Sequence, residues 1–183
     1  MFIRRRALSQ VFLINRLLIS KLIRRSSIGK NNTVLEIGPG TGNITTELLS
    51  VARNVIAVEI DQSLTKLLQE KFQMTQNLTL YQMDFMQYPL PNYPYKVFAN
   101  PPFSIQGKLV RKLLNAKNPP EDCYLVLRKD FAYRLGGIRK DGELSRFYKK
   151  RFDFEMVHHF KGRDFKPKTN VRTVLMRMKR KLG

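Results

Sequence analysis

The chain has 183 residues, of which 43% are hydrophobic, and this length predicts a single domain with a core of its own. Its one cysteine, Cys123, excludes an internal disulfide and argues against a cysteine-based metal cluster, and no apolar run approaches the length of a membrane span. The formal net charge is +20 and is concentrated at the two ends, which is typical of a protein that binds a polyanion such as RNA or DNA.

The N-terminal segment is basic and amphipathic. Residues 1–35 carry eight lysines and arginines and no acidic residue, as organelle presequences do. We nevertheless interpret residues 1–30 as part of the mature protein: a basic arm followed by a helix that begins near Phe12. The arm consists of Arg4, Arg5 and Arg6. The helix has two candidate apolar faces, Leu13, Leu17 and Leu18, or Ile14, Leu18 and Leu22.

Residues 32–46 read N-T-V-L-E-I-G-P-G-T-G-N-I-T-T and predict a strand, a glycine turn and a helix. Glycines are needed where a backbone turns sharply or lets a ligand approach closely, and the following helix N-terminus offers free N–H groups. The spacing is E-x-G-x-G-x-G rather than the dinucleotide pattern G-x-G-x-x-G. With Glu36 at the end of the strand, it resembles the S-adenosylmethionine (SAM) loop of class I methyltransferases; a generic glycine turn is the alternative.

Two carboxylates follow the next two predicted strands. Residues 54–58 form a buried strand that ends at Glu59, where a carboxylate can accept both ribose hydroxyls of a nucleoside cofactor. A third strand, residues 78–81, leads to Asp84 and Phe85. In such folds an acidic residue at this point binds the adenine amino group, and Phe85 can pack beside the ring. The alternatives are a solvated strand-end carboxylate and an ordinary turn residue.

The fourth strand, residues 95–99, ends in Asn100-Pro101-Pro102-Phe103. Prolines fix the backbone and remove N–H donors, which leaves nearby carbonyls free to accept hydrogen bonds. The Asn100 side-chain oxygen and the Pro101 carbonyl could together hold both hydrogens of a planar exocyclic amine. Two such acceptors favour a tetrahedral nitrogen and so stabilise the transition state of direct methyl transfer.

These motifs together resemble the ribosomal RNA adenine dimethyltransferases, the KsgA and Erm families. Three further segments agree with them: residues 9–13 (SQVFL), 124–135 (YLVLRKDFAYRL) and 165–173 (FKPKTNVRT). The resemblance runs from about residue 9 to about residue 178. It implies a SAM site formed by Gln10, Phe12, Glu36, Gly38, Gly40, Gly42, Glu59, Ile60, Asp84, Phe85 and Asn100. It implies a catalytic site formed by Asn100, Pro101, Phe103 and Phe165, whose two aromatic rings would stack on a flipped adenine.

Several residues depart from the family pattern. Val11 stands where Asn is usual, Arg128 where Gln is usual and Thr169 where a second Pro is usual. The fourth motif usually reads N-hydrophobic-P-Y/F in this family, whereas N-P-P-Y/F is commoner in DNA-amine and protein-glutamine methylases. Family members usually continue into a helical C-terminal domain, which we do not expect here because the predicted catalytic domain, 31–183, ends with its last strand.

We therefore predict a Rossmann-like class I methyltransferase fold, with a seven-stranded, mostly parallel sheet, helices on both faces and an antiparallel last strand (171–178). The predicted reaction is SAM-dependent methylation of an adenine amine in ribosomal RNA. We favour 23S RNA and macrolide resistance, with KsgA-like 16S modification, a DNA-adenine or protein-glutamine methylase, and a non-catalytic RNA-binding relative as alternatives. We expect a cytoplasmic monomer that uses no metal.

Basic residues are predicted to grip the RNA backbone. The candidates are Arg4, Arg5, Arg6, Lys108, Arg111, Arg139, Lys140, Lys166 and Lys168. Lys108, Arg111 and Lys112 are expected on the outer face of the helix that follows the Asn100 loop, where they contact either phosphate or solvent.

Overall fold

The computed structural model describes residues 11–138 and 140–181, and every structural statement concerns these residues. The strands are β1 (Phe12–Leu13), β2 (Thr33–Ile37), β3 (Asn54–Glu59), β4 (Leu78–Gln82), β5 (Lys96–Ala99), β6 (Asp122–Arg128), β7 (Phe152–His159), β8 (Phe165–Lys166) and β9 (Thr173–Arg180). The α-helices are α1 (Arg16–Arg24), α2 (Asn43–Val51), α3 (Gln62–Lys71), α4 (Gln106–Leu114), α5 (Lys129–Gly136) and α6 (Glu143–Lys149).

The main sheet has seven strands in the order β4-β3-β2-β5-β6-β9-β7. Strands β2 to β6 run parallel to one another, and β9 runs antiparallel to both β6 and β7. This confirms the predicted fold, including the antiparallel last strand, which spans Thr173–Arg180 rather than 171–178. None of the helices in the described ranges is long and apolar enough to cross a membrane.

The core lies on both faces of the sheet, because successive side chains of a strand point to opposite sides. In β6, Leu125 and Leu127 pack on the face covered by α4 and α5, while Tyr124 and Val126 pack on the face covered by α1 and α2. Strands buried on both faces read as continuous apolar runs, which is why the central strands could be recognised in the sequence.

The N-terminal segment departs from the prediction. Phe12–Leu13 form a short strand that pairs antiparallel with β8, so that Leu13 lies opposite Phe165. The helix begins only at Arg16, where the Asn15 side chain accepts a hydrogen bond from the Leu18 N–H at 3.2 Å. Both predicted apolar faces are wrong in part: Leu17 of the first is 86% exposed and Ile14 of the second is 41% exposed, although Leu13 and Leu22 are buried. The buried face is formed by Ile19, Leu22 and Ile23.

Candidate cofactor and target site

The glycine loop has the left-handed backbone that the sequence predicts. Gly38, Gly40 and Gly42 have φ angles of 67°, 59° and 78°, which residues with a Cβ rarely adopt. At Gly40 an added Cβ would lie 2.6 Å from Cε1 of Phe12. The Phe12 ring therefore packs directly on the loop, and its role in a cofactor site stays a prediction.

The Glu59 carboxylate ties the end of β3 to the glycine loop. Its Oε2 accepts a hydrogen bond from the Gly40 N–H at 3.1 Å, and Oε1 accepts from the N–H groups of Ile60 at 2.9 Å and Asp61 at 3.0 Å. Burial raises the pKa of Glu59, and these three donors oppose that rise. A carboxylate has about four acceptor positions, so about one remains for a ribose hydroxyl rather than the two expected.

Glu36 lies at the end of β2 with 1% of its surface exposed, and neither carboxyl oxygen has a hydrogen-bond partner in the described part of the chain. Burial raises the pKa of this carboxyl to about 8, although the nearby Thr45 hydroxyl and backbone N–H act in the opposite direction. The Thr45 hydroxyl itself is also without a properly oriented partner. Burial thus favours the protonated, neutral form of the Glu36 carboxyl.

The Asn100 side chain is oriented by the N-terminal segment. Its Nδ2 donates a hydrogen bond to the Val11 carbonyl at 2.7 Å, which leaves Oδ1 as the free acceptor. This oxygen is buried and has no partner among the described residues. Buried polar atoms are normally paired, so this unpartnered oxygen is a candidate acceptor for a donor from outside the chain.

Further contacts clamp the N-terminal segment over the loops. Asn43 Nδ2 donates to the Leu13 carbonyl at 3.0 Å, and Asn15 Nδ2 donates to Asp164 Oδ1 at 3.0 Å. Residues 11–13 thus lie against the glycine loop and the Asn100 loop at once. Together they line a pocket whose walls are Val11, Phe12, Leu13, Gly38, Pro39, Thr41, Asn43, Ile44, Asn100, Pro101 and Pro102.

This pocket lies at the carboxyl ends of β2 and β5, which are neighbours in the sheet although the chain passes through β3 and β4 between them. The strand order reverses at this point: β3 and β4 lie on one side of β2, whereas β5 and β6 lie on its other side. Open parallel sheets bind ligands at such topological switch points. The fold therefore brings Phe12, Gly38, Asn100 and Pro101 together, as predicted.

The second part of the predicted site follows β3 and β4. Ile60 is 44% exposed immediately after Glu59, which gives an apolar surface at this edge of the sheet. Asp84 opens a turn in which its Oδ1 accepts a hydrogen bond from the Met86 N–H at 2.9 Å. Phe85 is buried in the core, so its ring supports the turn from below.

The two aromatic residues of the predicted catalytic site differ in exposure. Phe103 is half-buried in the 3-10 turn Phe103–Ile105, directly after the prolines. Phe165 is 2% exposed and its ring packs edge-on against Phe160, with centroids 5.4 Å apart. The face of Phe165 is thus covered in this structure, and its stacking on a flipped base stays a prediction.

Five of the predicted RNA-binding cations are exposed: Lys108, Arg111, Lys140, Lys166 and Lys168. Arg4, Arg5, Arg6, Gln10 and Arg139 lie outside the described residues. The expectation for Lys112 was wrong, because its ammonium group turns inward and donates to three backbone carbonyls.

Sequence reasoning did not identify Asn43, Lys71 or Lys112 as parts of this region. Lys71 Nζ donates to the Thr41 carbonyl of the glycine loop at 3.0 Å, from the last turn of α3. The position of Asn43, directly after the last glycine, was the only signal available for it, and the two lysines read as ordinary helix-surface residues.

The residues present fit SAM. The remaining acceptor position of Glu59, the Asp84 oxygen that accepts no hydrogen bond from a described residue, and the exposed Ile60 side chain fit a ligand that carries a ribose and a purine. With the strand order described above, they define a class I SAM-dependent methyltransferase fold.

Comparison with known proteins gives the family. The family model for ribosomal RNA adenine dimethylases matches residues 1–183, and the chain belongs to that family. It is 34% identical to a mitochondrial ribosomal RNA small subunit methyltransferase of Arabidopsis thaliana, over 92% of the chain and 46% of the relative. It is 32% identical to an rRNA adenine N-6-methyltransferase of Bacteroides fragilis, over 94% of the chain and 65% of the relative.

Among solved structures, the 23S rRNA methyltransferase ErmE superposes with a TM-score of 0.87 at 30% identity, over 93% of this chain and 70% of that one. A dimethyladenosine transferase from Plasmodium falciparum gives a TM-score of 0.84 at 27% identity, over 93% and 63%. The chain thus spans about half to two thirds of the length of the curated relatives it matches.

Proposed function

We propose that this protein methylates the exocyclic amine of an adenine in ribosomal RNA, with SAM as the methyl donor. The proposal rests above all on the Asn100 carboxamide oxygen, which is buried, unpartnered and oriented by the Val11 carbonyl at the switch point of the sheet. Membership of the ribosomal RNA adenine dimethylase family supports the same reaction.

Asn100 and Pro101 would act on the target nitrogen. The adenine amine is a weak nucleophile because its lone pair is delocalised into the ring. Hydrogen bonds from its two hydrogens to Asn100 Oδ1 and the Pro101 carbonyl favour the pyramidal nitrogen of the transition state over the planar ground state. No general base is needed, since the methylated nitrogen is acidic and loses its proton to water.

The cofactor would be held by the glycine loop, Glu59, Ile60 and Asp84. Bound SAM supplies an electrophilic methyl group on a sulfonium centre. The loop N–H groups and the N-terminus of α2 orient its polar end, Glu59 accepts from the ribose, and Asp84 accepts from the adenine amine. The exposed Ile60 side chain gives the adenine ring an apolar surface to rest on.

The RNA would be bound through its phosphates and one extruded base. Reaching Asn100 requires the target adenine to leave its stack, which costs least in a loop or junction. Phe103 supplies a stacking face, and the exposed cations on α4 and after β8 would neutralise phosphates nearby. Residues 4–6 and 139 are proposed to add to this basic surface.

Within ribosomal RNA we propose that the target is 23S RNA and that its methylation confers macrolide resistance. We also propose that the protein acts as a monomer in the cytoplasm. The similarity to ErmE supports this choice. The opposing observation is that several relatives are small subunit methyltransferases, including that of Dehalococcoides mccartyi at 35% identity over 77% of the chain and 50% of the relative. Modification of 16S RNA is therefore the second candidate.

The test supplies radiolabelled SAM with purified 23S RNA, 16S RNA, DNA and a protein mixture, for the wild type and for Asn100→Ala as the matched inactive control. Label in 23S RNA that maps to one adenine by primer-extension arrest supports the full proposal. Label in 16S RNA supports the reaction and overturns the 23S target. Label in DNA or protein, or SAM binding without transfer to any of the four, overturns the proposed function.

A further inference from the structure

Lys112 makes an unusual set of contacts with the turn that follows β4. It lies near the end of α4, and its Nζ donates hydrogen bonds to the carbonyls of Phe85 at 2.8 Å, Met86 at 2.8 Å and Tyr88 at 2.7 Å. The same ammonium lies 5.0 Å from the centre of the Phe85 ring. A lysine ammonium has three N–H donors, so all of them are used.

The three carbonyls belong to the turn that begins at Asp84. The N–H groups of Gln87 and Tyr88 donate to the Asp84 carbonyl at 2.9 Å and 3.2 Å, and the Met86 N–H donates to Asp84 Oδ1. No described residue donates to Asp84 Oδ2, which leaves that oxygen for a ligand. The Asp84 side chain is therefore oriented by the turn rather than by any side chain.

Three carbonyl dipoles that converge on one point repel each other and need a cation between them. Among the described residues the Lys112 ammonium fills this position, and the negative face of the Phe85 ring adds a further attraction. Burial lowers the pKa of Lys112, and the nearby Asp84 carboxylate opposes that change. Loss of the cation would let the carbonyls rotate towards water and would carry Asp84 with them.

We propose that Lys112 is a positioning residue for cofactor recognition: it fixes the turn of residues 84–88 so that Asp84 Oδ2 meets the exocyclic amine of the cofactor's adenine. This inference rests on the proposed function, because it assigns Asp84 to that amine. Lys112 then stabilises a turn inside the domain and does not contact RNA phosphates.

The measurement compares two ligands that differ only at the amine. S-adenosylhomocysteine carries it, whereas the 6-deamino analogue, with an unsubstituted purine ring, has a hydrogen in its place. Wild-type protein should bind the adenosyl compound about tenfold more tightly in calorimetry. Lys112→Met keeps the length of the side chain without the charge, and it should reduce this ratio to about twofold. Lys66→Met, at an exposed lysine on α3, is the matched control and should leave the ratio unchanged.

Two further variants separate positioning from a general loss of stability. Asp84→Asn should lower the ratio as much as Lys112→Met, and the double variant should be no worse than Asp84→Asn alone, because both changes act through one hydrogen bond. Lys112→Arg, which keeps charge and donors, should restore most of the ratio. If Lys112→Met does not fold, Lys112→Gln replaces it, with the same expected loss.

The outcomes distinguish this inference from the function on which it rests. A wild type that discriminates and a Lys112→Met variant that keeps the full ratio overturn the role of Lys112 and leave the proposed function intact. Additive losses in the double variant also overturn it. A wild type that binds neither compound overturns the proposed function itself.

Discussion

Replacing the buried Glu36 carboxyl by an amide, Glu36→Gln, should make the free energy of unfolding less dependent on pH. The Glu36 pKa is raised from 4.5 to about 8 by burial, so between these values the folded state keeps a proton that the unfolded state loses. The protonated Glu36 carboxyl therefore destabilises the fold least below about pH 4.5, and its contribution to the free energy of unfolding falls progressively as the pH rises through about 8.

The size of the effect follows from this difference in pKa. At about 1.4 kcal/mol per pH unit, moving from 4.5 to about 8 sets an upper limit of about 5 kcal/mol on the stability lost by the wild type. Water entry and small rearrangements reduce such penalties, and we expect about 2 to 4 kcal/mol between pH 5 and pH 9. Glu36→Gln carries no titrating group, so it should gain this amount relative to the wild type.

The assay is urea unfolding of the cofactor-free protein, followed by circular dichroism at pH 5, 7 and 9. Glu70→Gln, at an exposed position on α3, is the control and should differ from the wild type by the same small amount at each pH. The argument that Glu36 is buried as a neutral acid would be refuted if the gain in free energy of unfolding of Glu36→Gln over the wild type were the same at every pH, or were larger at acid pH.

Four further predictions follow from the site and the fold. Asn100→Ala should lower methyl transfer at least about 1000-fold while SAM affinity, measured by calorimetry, stays within about threefold. Glu59→Ala should instead weaken SAM binding at least about tenfold, and an unchanged affinity would remove it from the cofactor site. Arg177→Met should cost about 3 kcal/mol in urea unfolding, because Arg177 donates to the buried Asp122 carboxylate at 2.7 Å and 3.0 Å. RNA affinity should fall about 100-fold between 50 and 200 mM salt if the five exposed cations contact phosphates, and a flat response would contradict this.

Much of the fold could be predicted because the central strands are continuous apolar runs. Three of the strands are also closed or followed by a polar residue that can bind a ligand. Glu59, Asp84 and Asn100 all follow strands of the main sheet, and parallel strands bring their carboxyl ends to one edge. The position of the candidate site thus required only the order of strands along the chain.

The remaining features depend on contacts between residues far apart in sequence. Strand β1 has only two residues and forms by pairing with β8, far away in the sequence. Two residues are too few to show a strand period, so the apolar periodicity near Phe12 indicated a helix instead. The orientation of Asn100 depends on the Val11 carbonyl, 89 positions away, and no side-chain pattern encodes a backbone oxygen. Lys112 reads as a surface cation because the three backbone carbonyls that accept its hydrogen bonds lie 24 to 27 positions away in the sequence.

The pairing of β1 with β8 also bears on the order in which the molecule assembles. Asn15 and Asp164, which join the two segments, are 149 positions apart, and the entropy of closing so long a loop must be offset before these contacts form. The segment over the pocket can dock only after residues 164–166 have been synthesised. Asn100 is oriented by the same N-terminal segment, through the Val11 carbonyl, so its side chain takes this orientation only after two segments far apart in the chain have met.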